Sequence, residues 1–401
     1  MNLALSDEQV FLREAARGAL SRFKTLEAAR EALDTPDRGT PHGGGQAGGN
    51  ASALPDLWPT AKEAGWPGLL IDEDHGGAGL DAFDAMLVLG ECGRVLAGVG
   101  LLGHLPATAI LAATPNAAEF LPDLASGEQR AAYLPARPPS DLLERWSGDS
   151  ASGLERAELP RAGASGEDRR AGGRASITGT VSFVPDAPGA DVLVGVAISD
   201  VTGEPIGIAV QADAPGVKIE SVVRYDSTRS LAHVTLEDAM AVVLDCPQEA
   251  LIDAWYLAQS LIAAESLGSV ETALDVSVAY AKERFTFGRA IGSYQAVKHA
   301  LTEVLRQLEN GRSLLYYAGW SRNGAPAEFP LAASAARSVG GNALDTAART
   351  MISVHGGIGA TWEHDAPLYF RRAQLSRRLL GGTAQATDRV AGELIAQADA
   401  A

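Results

Sequence analysis

A single arginine followed by an aromatic residue and a glycine is the first place in this chain where residue types and spacing suggest chemistry. Arg284 opens the run RFTFGRAIGSYQ, which ends at Gln295. The planar guanidinium of an arginine carries a fork of N–H donors that suits a phosphate. Phe287 and Gly288 follow, and the glycine permits a turn. Arg284 could equally end a solvated helix, so this run alone leaves both interpretations open.

Glycines dominate a second block, HGGIGATWEHD, which begins at His355. Because glycine has no Cβ, the backbone at Gly356, Gly357 and Gly359 can come close to a phosphate group. The same glycines would suit the turn at the end of a helix, and both roles can hold together. His355 and His364 invite a metal or acid–base hypothesis. Neither has a set of partner ligands in the sequence, so we interpret both as structural and expect no metal site.

A third block, GGTAQ, runs from Gly381 to Gln385, and the order and distances of the three blocks resemble those of the acyl-CoA dehydrogenase family. The resemblance extends over the chain apart from two irregular segments. It implies FAD as the cofactor and α,β-desaturation of an acyl-CoA thioester as the reaction. By this resemblance the cofactor-binding residues are Arg284, Phe287, Gly288, Ile291, Tyr294, Gln295, Gly356, Gly357, Gly359, Thr383 and Gln385.

The resemblance divides these residues between two ends of the cofactor. It implies that Arg284 reaches the FAD diphosphate, usually on a neighbouring subunit, and that the glycines of the second block approach the same group. The stretch from Ile291 to Gln295 corresponds to the adenine and ribose side. Thr383 and Gln385 correspond to residues that contact the flavin region.

Catalysis in this family needs a carboxylate that removes the α-proton of the thioester while the β-hydrogen leaves as hydride. Gly381 stands where the family usually has that glutamate, and Ala258 stands at the alternative base position on an earlier helix. We therefore assign no catalytic residue. Asp253 and Glu265 are the carboxylates near Ala258, and we interpret both as capping or structural residues.

The flavin-ring side departs from the family as well. Phe183 and Pro185 replace the Trp-x-Thr that flanks the ring, and proline has no N–H to offer it. Nothing around Tyr133 matches the family's Thr-Glu stretch, and Ser353 stands where a glutamine often contacts the cofactor. This combination predicts the base-lacking subunit of an α2β2 heterotetramer, which would complete the FAD site of a paralogous acyl-CoA dehydrogenase subunit.

Three alternatives remain open. The chain could be a self-sufficient homo-oligomeric dehydrogenase with an atypical base such as Asp253 or Glu265. It could be a flavin-free scaffold or regulatory paralogue, or it could catalyse another flavin reaction such as N-hydroxylation. The run from Trp362 to Asp365 resembles a variant in actinobacterial branches linked to steroid side-chain degradation. We therefore expect a bulky, steroid-type acyl-CoA as substrate and, as the family implies, an electron-transfer flavoprotein as acceptor.

Composition narrows the possible partners. The chain has 401 residues, a hydrophobic fraction of 46% and a net charge of −17 at pH 7. These values predict a folded protein and argue against nucleic acid or an anionic membrane as a general partner. Cys92 and Cys246 lie far apart and lack the spacing of a metal site. The sequence begins without the features of a signal peptide and has no membrane-spanning apolar run, so we expect a cytoplasmic protein.

Three successive regions must position these residues. Helical periodicity predicts an N-terminal α-helical domain over 1–126, with a glycine-rich loop at 35–55. Short β-rich runs predict a middle β domain, a barrel or sandwich, over 127–246, with an irregular insertion at 136–174. Helical spacing returns over 247–401, where the resemblance implies a four-helix bundle. The expected class is α+β with the acyl-CoA dehydrogenase fold.

Overall fold

The computed structural model describes residues 4–34, 54–139, 144–152, 155–163 and 173–399. The glycine-rich loop predicted at 35–55 therefore lies almost wholly outside the described residues. Helices come first along the chain, strands follow, and helices return, so the predicted α+β order is confirmed. The domain boundaries at 126 and 246 remain a proposal.

The N-terminal helices differ in how they begin: two have a side chain that satisfies free N–H groups of the first turn, and three have no such side-chain cap. In the described residues they are α1 (Asp7–Leu20), α2 (Thr25–Asp34), α3 (Trp58–Glu63), α4 (Ala82–Arg94), α5 (Leu101–Ala112) and α6 (Leu121–Ser126). Ser6 Oγ accepts the N–H of Gln9 at 3.2 Å, and the Gln9 side chain accepts the N–H of Ser6 at 3.1 Å. Asp81 caps α4 in the same reciprocal way, which fixes where α4 starts.

The middle strands close into a barrel. They are β1 (Ala131–Leu134), β2 (Gly148–Asp149), β3 (Arg156–Ala157), β4 (Arg161–Gly163), β5 (Arg174–Pro185), β6 (Val192–Ser199), β7 (Pro205–Gln211), β8 (Val217–Ser221) and β9 (Leu231–Leu244). Strand β6 pairs with β4 and β7, β7 pairs with β9, and β5 joins β9 to β4, so the pairing returns to its start. Alternate residues of these strands fill the interior, among them Ile177, Val181, Leu193, Ile208 and Val234.

The insertion predicted as irregular at 136–174 contains three short strands among its described residues. Strands β2 and β3 pair with each other, and β4 joins the barrel between β5 and β6. Each has only two or three residues, which is too short for alternation of polar and apolar side chains to appear in the sequence. We therefore replace the expectation of a fully irregular segment with a small hairpin attached to the barrel.

The C-terminal helices pack around one long buried helix. They are α7 (Gln248–Glu283), α8 (Gln295–Gly324), α9 (Phe329–His355), α10 (Ala366–Ser376) and α11 (Gly382–Asp399), and a hairpin of β10 (Phe285–Thr286) and β11 (Arg289–Ala290) separates α7 from α8. Every residue of α7 from Ala254 to Val270 is buried, as expected of a helix surrounded by other elements. Among the described residues, no helix combines the length and apolar character needed to cross a membrane.

Backbone contact holds α4 against α7. A Cβ on Gly268 would overlap the carbonyl oxygen of Gly90, and a Cβ on Gly93 would overlap that of Glu265. The two helices can approach this closely only because glycine has no side chain at these positions.

A buried ion network joins the barrel to the helices. Arg372 of α10 pairs with Asp226 through Nε at 2.9 Å and with Glu265 of α7 through Nη1 at 2.6 Å, and Arg229 also pairs with Glu265. Burial raises the pKa of Asp226, but Arg372 and Thr228 outweigh that effect and the net shift is downward. The loop between β8 and β9 is therefore held rigidly against α7 and α10.

Candidate functional site

Arg284 lies at the end of α7, at the base of the β10–β11 hairpin. Its side chain is exposed, and Phe287 at the hairpin turn is 93% exposed with φ of 49°. Tyr294 fixes the hairpin, because its hydroxyl donates to the carbonyl of Thr286 at 3.2 Å and Arg289 stacks 4.0 Å from its ring centre. The hairpin thus presents an exposed guanidinium and an exposed aromatic ring to solvent.

A glycine turn follows the end of α9. A Cβ on Gly356 or Gly357 would meet no atom within 4 Å, and Gly356 has φ of 63°. A Cβ on Gly359, by contrast, would lie 2.8 Å from the carbonyl oxygen of Ile352. The first two glycines therefore leave the backbone open to an approaching ligand, whereas the third is required by the turn itself.

Stacked rings bring the hairpin and the glycine turn to the same end of the helical region. Tyr280, one turn before Arg284, lies 4.3 Å from His355, and His355 lies 4.1 Å from His364, between ring centres. We name the surface formed by residues 284–295 and 355–360 the open face. It contains nine of the predicted cofactor-binding residues.

Both histidines of this stack make backbone hydrogen bonds. His355 Nδ1 lies 2.7 Å from the carbonyl of Met351, and His364 Nδ1 accepts the N–H of Ala366 at 3.0 Å. Burial and the neighbouring His355 lower the pKa of His364. In the described part of the chain, no cluster of three or more His, Cys, Asp or Glu side chains could hold a metal ion.

The predicted base position leaves little room for a side chain. Gly381 has φ of 81°, and its neighbours Leu380 and Gly382 are also left-handed. A Cβ on Gly381 would lie 3.1 Å from both Cζ2 of Trp255 and Oε1 of Gln385. A glutamate here would need backbone strain together with displacement of a buried indole.

Thr383 and Gln385 lie beside Gly381, away from the open face. Thr383 is buried and packs where a Cβ of Gly341 would be, and Gln385 accepts a hydrogen bond from Arg137. Gly341 is in the middle of α9, so this place is roughly 20 Å from the glycine turn at the helical rise per residue. The structure thus separates these two predicted residues from the other nine.

The cavity near Gly381 has a volume of about 10 Å³, which is room for one water molecule. Its walls include Arg137, Trp255, Tyr256, Gln259, Gln385 and Arg389. We name the region of Gly381, Trp255, Gln385, Arg137 and Asp149 the filled pocket.

The alternative base position is also closed. Ala258 is fully buried in α7, and the neighbouring Gln259 donates through Nε2 to the carbonyl of Leu380 at 3.3 Å. Asp253 pairs with Arg322 at 2.7 Å, and Glu265 belongs to the buried network. Both carboxylates suggested as atypical bases are therefore occupied in ion pairs.

Asp149 is the residue that the sequence did not point to. It lies on β2, and its carboxylate interacts with the backbone of Gly381 and with Arg156 at 3.3 Å. Burial raises the pKa of Asp149, against the opposing effects of the Gly381 hydrogen bond and of Arg137. No spacing rule could have found this contact, because it depends on how the β2–β3 hairpin folds back onto the helices.

The residues that stand where the family flanks its flavin ring are likewise covered. The guanidinium of Arg224 lies 4.2 Å from the ring centre of Phe183, and the ring of His233 lies 4.9 Å away. The open face thus suits a diphosphate, since it offers a cation and accessible backbone. The cavity of about 10 Å³ at the filled pocket is too small for an isoalloxazine ring.

Family models agree with this architecture at both ends of the chain. The acyl-CoA dehydrogenase N-terminal domain matches residues 46–136, and the acyl-CoA dehydrogenase C-terminal domain matches residues 257–395. The second match includes the whole of the open face and the filled-pocket positions Gly381 and Gln385.

Two relatives from Mycobacterium tuberculosis match almost all of this chain. Acyl-CoA dehydrogenase FadE34 is 31% identical over 97% of the chain, and the chain spans 48% of its length. Acyl-CoA dehydrogenase IpdE2 is 29% identical over 97% of the chain and 98% of its own length. The chain therefore spans about half of one relative and nearly all of the other.

A solved structure shows the same fold. The Tcur3481-Tcur3483 steroid ACAD variant superposes with a TM-score of 0.79 at 25% identity, over 98% of this chain and 99% of that one. The predicted fold is thereby confirmed, and this chain belongs to the acyl-CoA dehydrogenase family.

Proposed function

We propose that this chain is the base-lacking subunit of a heteromeric, FAD-dependent acyl-CoA dehydrogenase. The observation that carries the proposal is the filled pocket. Gly381 replaces the catalytic glutamate, holds a left-handed backbone, and has Trp255 packed 3.1 Å from where a side chain would begin. A subunit built this way contributes no proton-abstracting carboxylate from that position.

The open face gives this subunit its role in the assembly. Arg284 and the exposed backbone of Gly356 and Gly357 would hold the diphosphate of an FAD whose ring lies in the partner subunit. When bound, FAD accepts hydride from the acyl thioester. The exposure of Phe287 supports contact between the open face and the partner subunit, because an aromatic ring that is 93% exposed is typical of a contact surface.

The substrate and the partner follow from the family and from one neighbour. The name of the Tcur3481-Tcur3483 steroid ACAD gives two proteins, and that structure matches this chain over 98% of the chain's length. We infer by analogy a bulky, steroid-type acyl-CoA as substrate and a paralogous acyl-CoA dehydrogenase as partner. We also propose an electron-transfer flavoprotein as the acceptor of electrons from the reduced flavin.

Bound flavin per subunit tests the proposal. The chain is purified alone and then together with a paralogous acyl-CoA dehydrogenase chain, and FAD is quantified by visible absorbance after release. We expect a colourless lone chain and one FAD per pair of different subunits. One FAD per lone chain, bleached by an acyl-CoA in the absence of air, would overturn the helper role.

Asp149 favours one second candidate, a self-sufficient dehydrogenase in which this carboxylate replaces the missing base. Its carboxylate interacts with the backbone of Gly381 and pairs with Arg156 at 3.3 Å, and burial raises its pKa. Asp149→Asn should then abolish acyl-CoA turnover by the lone chain, whereas Asp213→Asn, at an exposed carboxylate, should not. No turnover by the unmodified lone chain excludes this candidate.

A further inference from the structure

A groove on the outside of the helical region lies apart from the open face. It runs between α8 and α9, which pack against each other, and its volume is about 580 Å³. We name it the helix groove, and its lining residues are Arg306, Gln307, Asn310, Ser313 and Leu314 of α8 and Val339, Asn342 and Thr346 of α9. Thr346 precedes His355 on α9 by about 14 Å at the helical rise per residue, and the groove shares no residue with the open face.

Neutral polar side chains dominate the helix groove. Five of its eight lining residues carry an amide or a hydroxyl, namely Gln307, Asn310, Ser313, Asn342 and Thr346. Each of these groups has both a donor and an acceptor. Asn310 and Asn342 are exposed, and within the described part of the chain their side-chain amides have no hydrogen-bond partner. Both amides are therefore available to another molecule.

The charged side chains in and beside the groove are neutralised within this chain. Arg306 donates to Glu303 through Nη2 at 2.6 Å, and Glu303 also accepts a hydrogen bond from Gln307 at 2.8 Å. On α9, Arg349 pairs with Asp345 at 3.1 Å. The helix groove is thus close to neutral, although the whole chain has a net charge of −17.

A second copy of this chain suits a surface of this kind. The commonest contact between identical chains has two-fold symmetry, so the same patch is brought together from both copies. A charged patch would then face its own charge, and two chains that each carry −17 repel each other. Amides and hydroxyls can pair with their own kind, because each donates and accepts. At the helix groove two copies can therefore meet without unpaired like charges facing each other.

We propose that two copies of this chain associate through the helix groove about a two-fold axis. Asn310 and Asn342 exchange hydrogen bonds with the other copy, and the half-buried Leu314 and Val339 lose their remaining contact with water. This inference does not rest on the proposed function, because the groove and the open face are separate surfaces. It would give an α2β2 assembly its second contact, since the open face joins each copy to its paralogous partner.

Sedimentation equilibrium of the lone chain tests this contact, and we expect a dimer. A positive variant, Asn310→Arg together with Asn342→Arg, should weaken self-association at least about tenfold, because like charges then face each other. A negative variant, Asn310→Asp together with Asn342→Asp, should weaken it for the same reason. An equimolar mixture of the two variants should associate again, because a contact between unlike copies brings opposite charges together.

A matched control places the same charge elsewhere. Gln211→Arg together with Ser221→Arg adds two arginines at exposed positions of the barrel and should leave self-association unchanged. Thermal unfolding of each variant shows whether a loss of association reflects misfolding. A monomeric unmodified chain, an intact dimer in the positive variant, or no recovery in the mixture of well-folded variants would overturn the proposal.

The paralogous subunit is the alternative occupant of the helix groove. In the co-purified complex, the positive variant should keep one FAD per pair of different subunits while the mass of the assembly falls by half. Loss of the paralogous subunit from that complex would assign the groove to the paralogue and overturn the proposal. Flavin content reports on the open face and assembly mass reports on the helix groove, so the failure of one proposal is distinguishable from the failure of the other.

Discussion

In the proposed assembly the open face and the filled pocket correspond to two ends of one cofactor, yet their side chains are arranged in opposite ways. On the open face Phe287 is 93% exposed and Arg284 has no ion-pair partner among the described residues. In the filled pocket Trp255 is 3% exposed and Gln385 is bonded to Arg137. The comparison shows that side chains can fill one region of a binding site, here the filled pocket, while another region, here the open face, stays exposed to a second molecule.

The largest expected effect comes from emptying the filled pocket. Trp255→Ala should destabilise the chain by about 3–5 kcal/mol, since removing a buried aromatic ring leaves a cavity. Urea denaturation measures the loss. Trp320→Ala serves as the control, because that indole is 42% exposed and should cost much less. Equal losses would mean that Trp255 does not hold the pocket closed.

A single methyl group at Gly381 probes the same region more gently. Gly381→Ala should cost about 1–2 kcal/mol for the left-handed backbone, plus the cost of crowding Trp255. Gly203→Ala is the matched control, because Gly203 is left-handed at 74° but has no atom within 4 Å of an added Cβ. Thermal unfolding should give a lower melting temperature for Gly381→Ala than for Gly203→Ala. The reverse order would show that position 381 has free space.

Removing the guanidinium of the open face should affect binding and spare folding. Arg284→Ala in the co-purified complex is expected to weaken FAD binding about 10- to 100-fold, because hydrogen bonds to charged groups contribute about 1.5–3 kcal/mol. Dialysis followed by flavin absorbance gives the retained fraction. Lys282→Ala removes an exposed cation two positions earlier and should retain the flavin. Full retention in Arg284→Ala would remove the open face from the cofactor site.

The smallest effect on stability is expected at the most exposed ring. Phe287→Ala should change the free energy of unfolding of the lone chain by less than about 0.5 kcal/mol, because the ring touches little in this subunit. The same change should weaken association with the partner, as measured by sedimentation. A stability loss comparable to that of Trp255→Ala would contradict the distinction between the two regions.

The sequence predicted the fold, which is confirmed, and it grouped the residues of the open face, because both depend on local features. Arg284, Phe287 and Gly288 fall within one hairpin, and Gly356 and Gly357 fall within one turn, so fixed spacing preserves their relation. Periodicity of the long helices and short strands predicted the α+β order. The absence of a glutamate at Gly381 was visible for the same reason, since the block GGTAQ is continuous.

The filled pocket could not be predicted, because its parts come from distant segments. Arg137 follows β1, Asp149 lies on a two-residue strand, and Trp255 is near the start of α7. Their approach to Gly381 depends on tertiary packing that no local pattern reports. Thr383 and Gln385, which the resemblance assigns to the flavin region, lie beside Gly381 and apart from the open face.

The left-handed backbone at Gly381 has an evolutionary consequence. Some glycine codons differ from a glutamate codon by one base, so a single mutation would be enough to write the missing carboxylate back into the gene. The φ of 81° and the indole 3.1 Å away mean that such a revertant would be less stable than the glycine form. The first mutational step back would therefore lower stability, so the proposed division of labour between two subunits is expected to be hard to reverse.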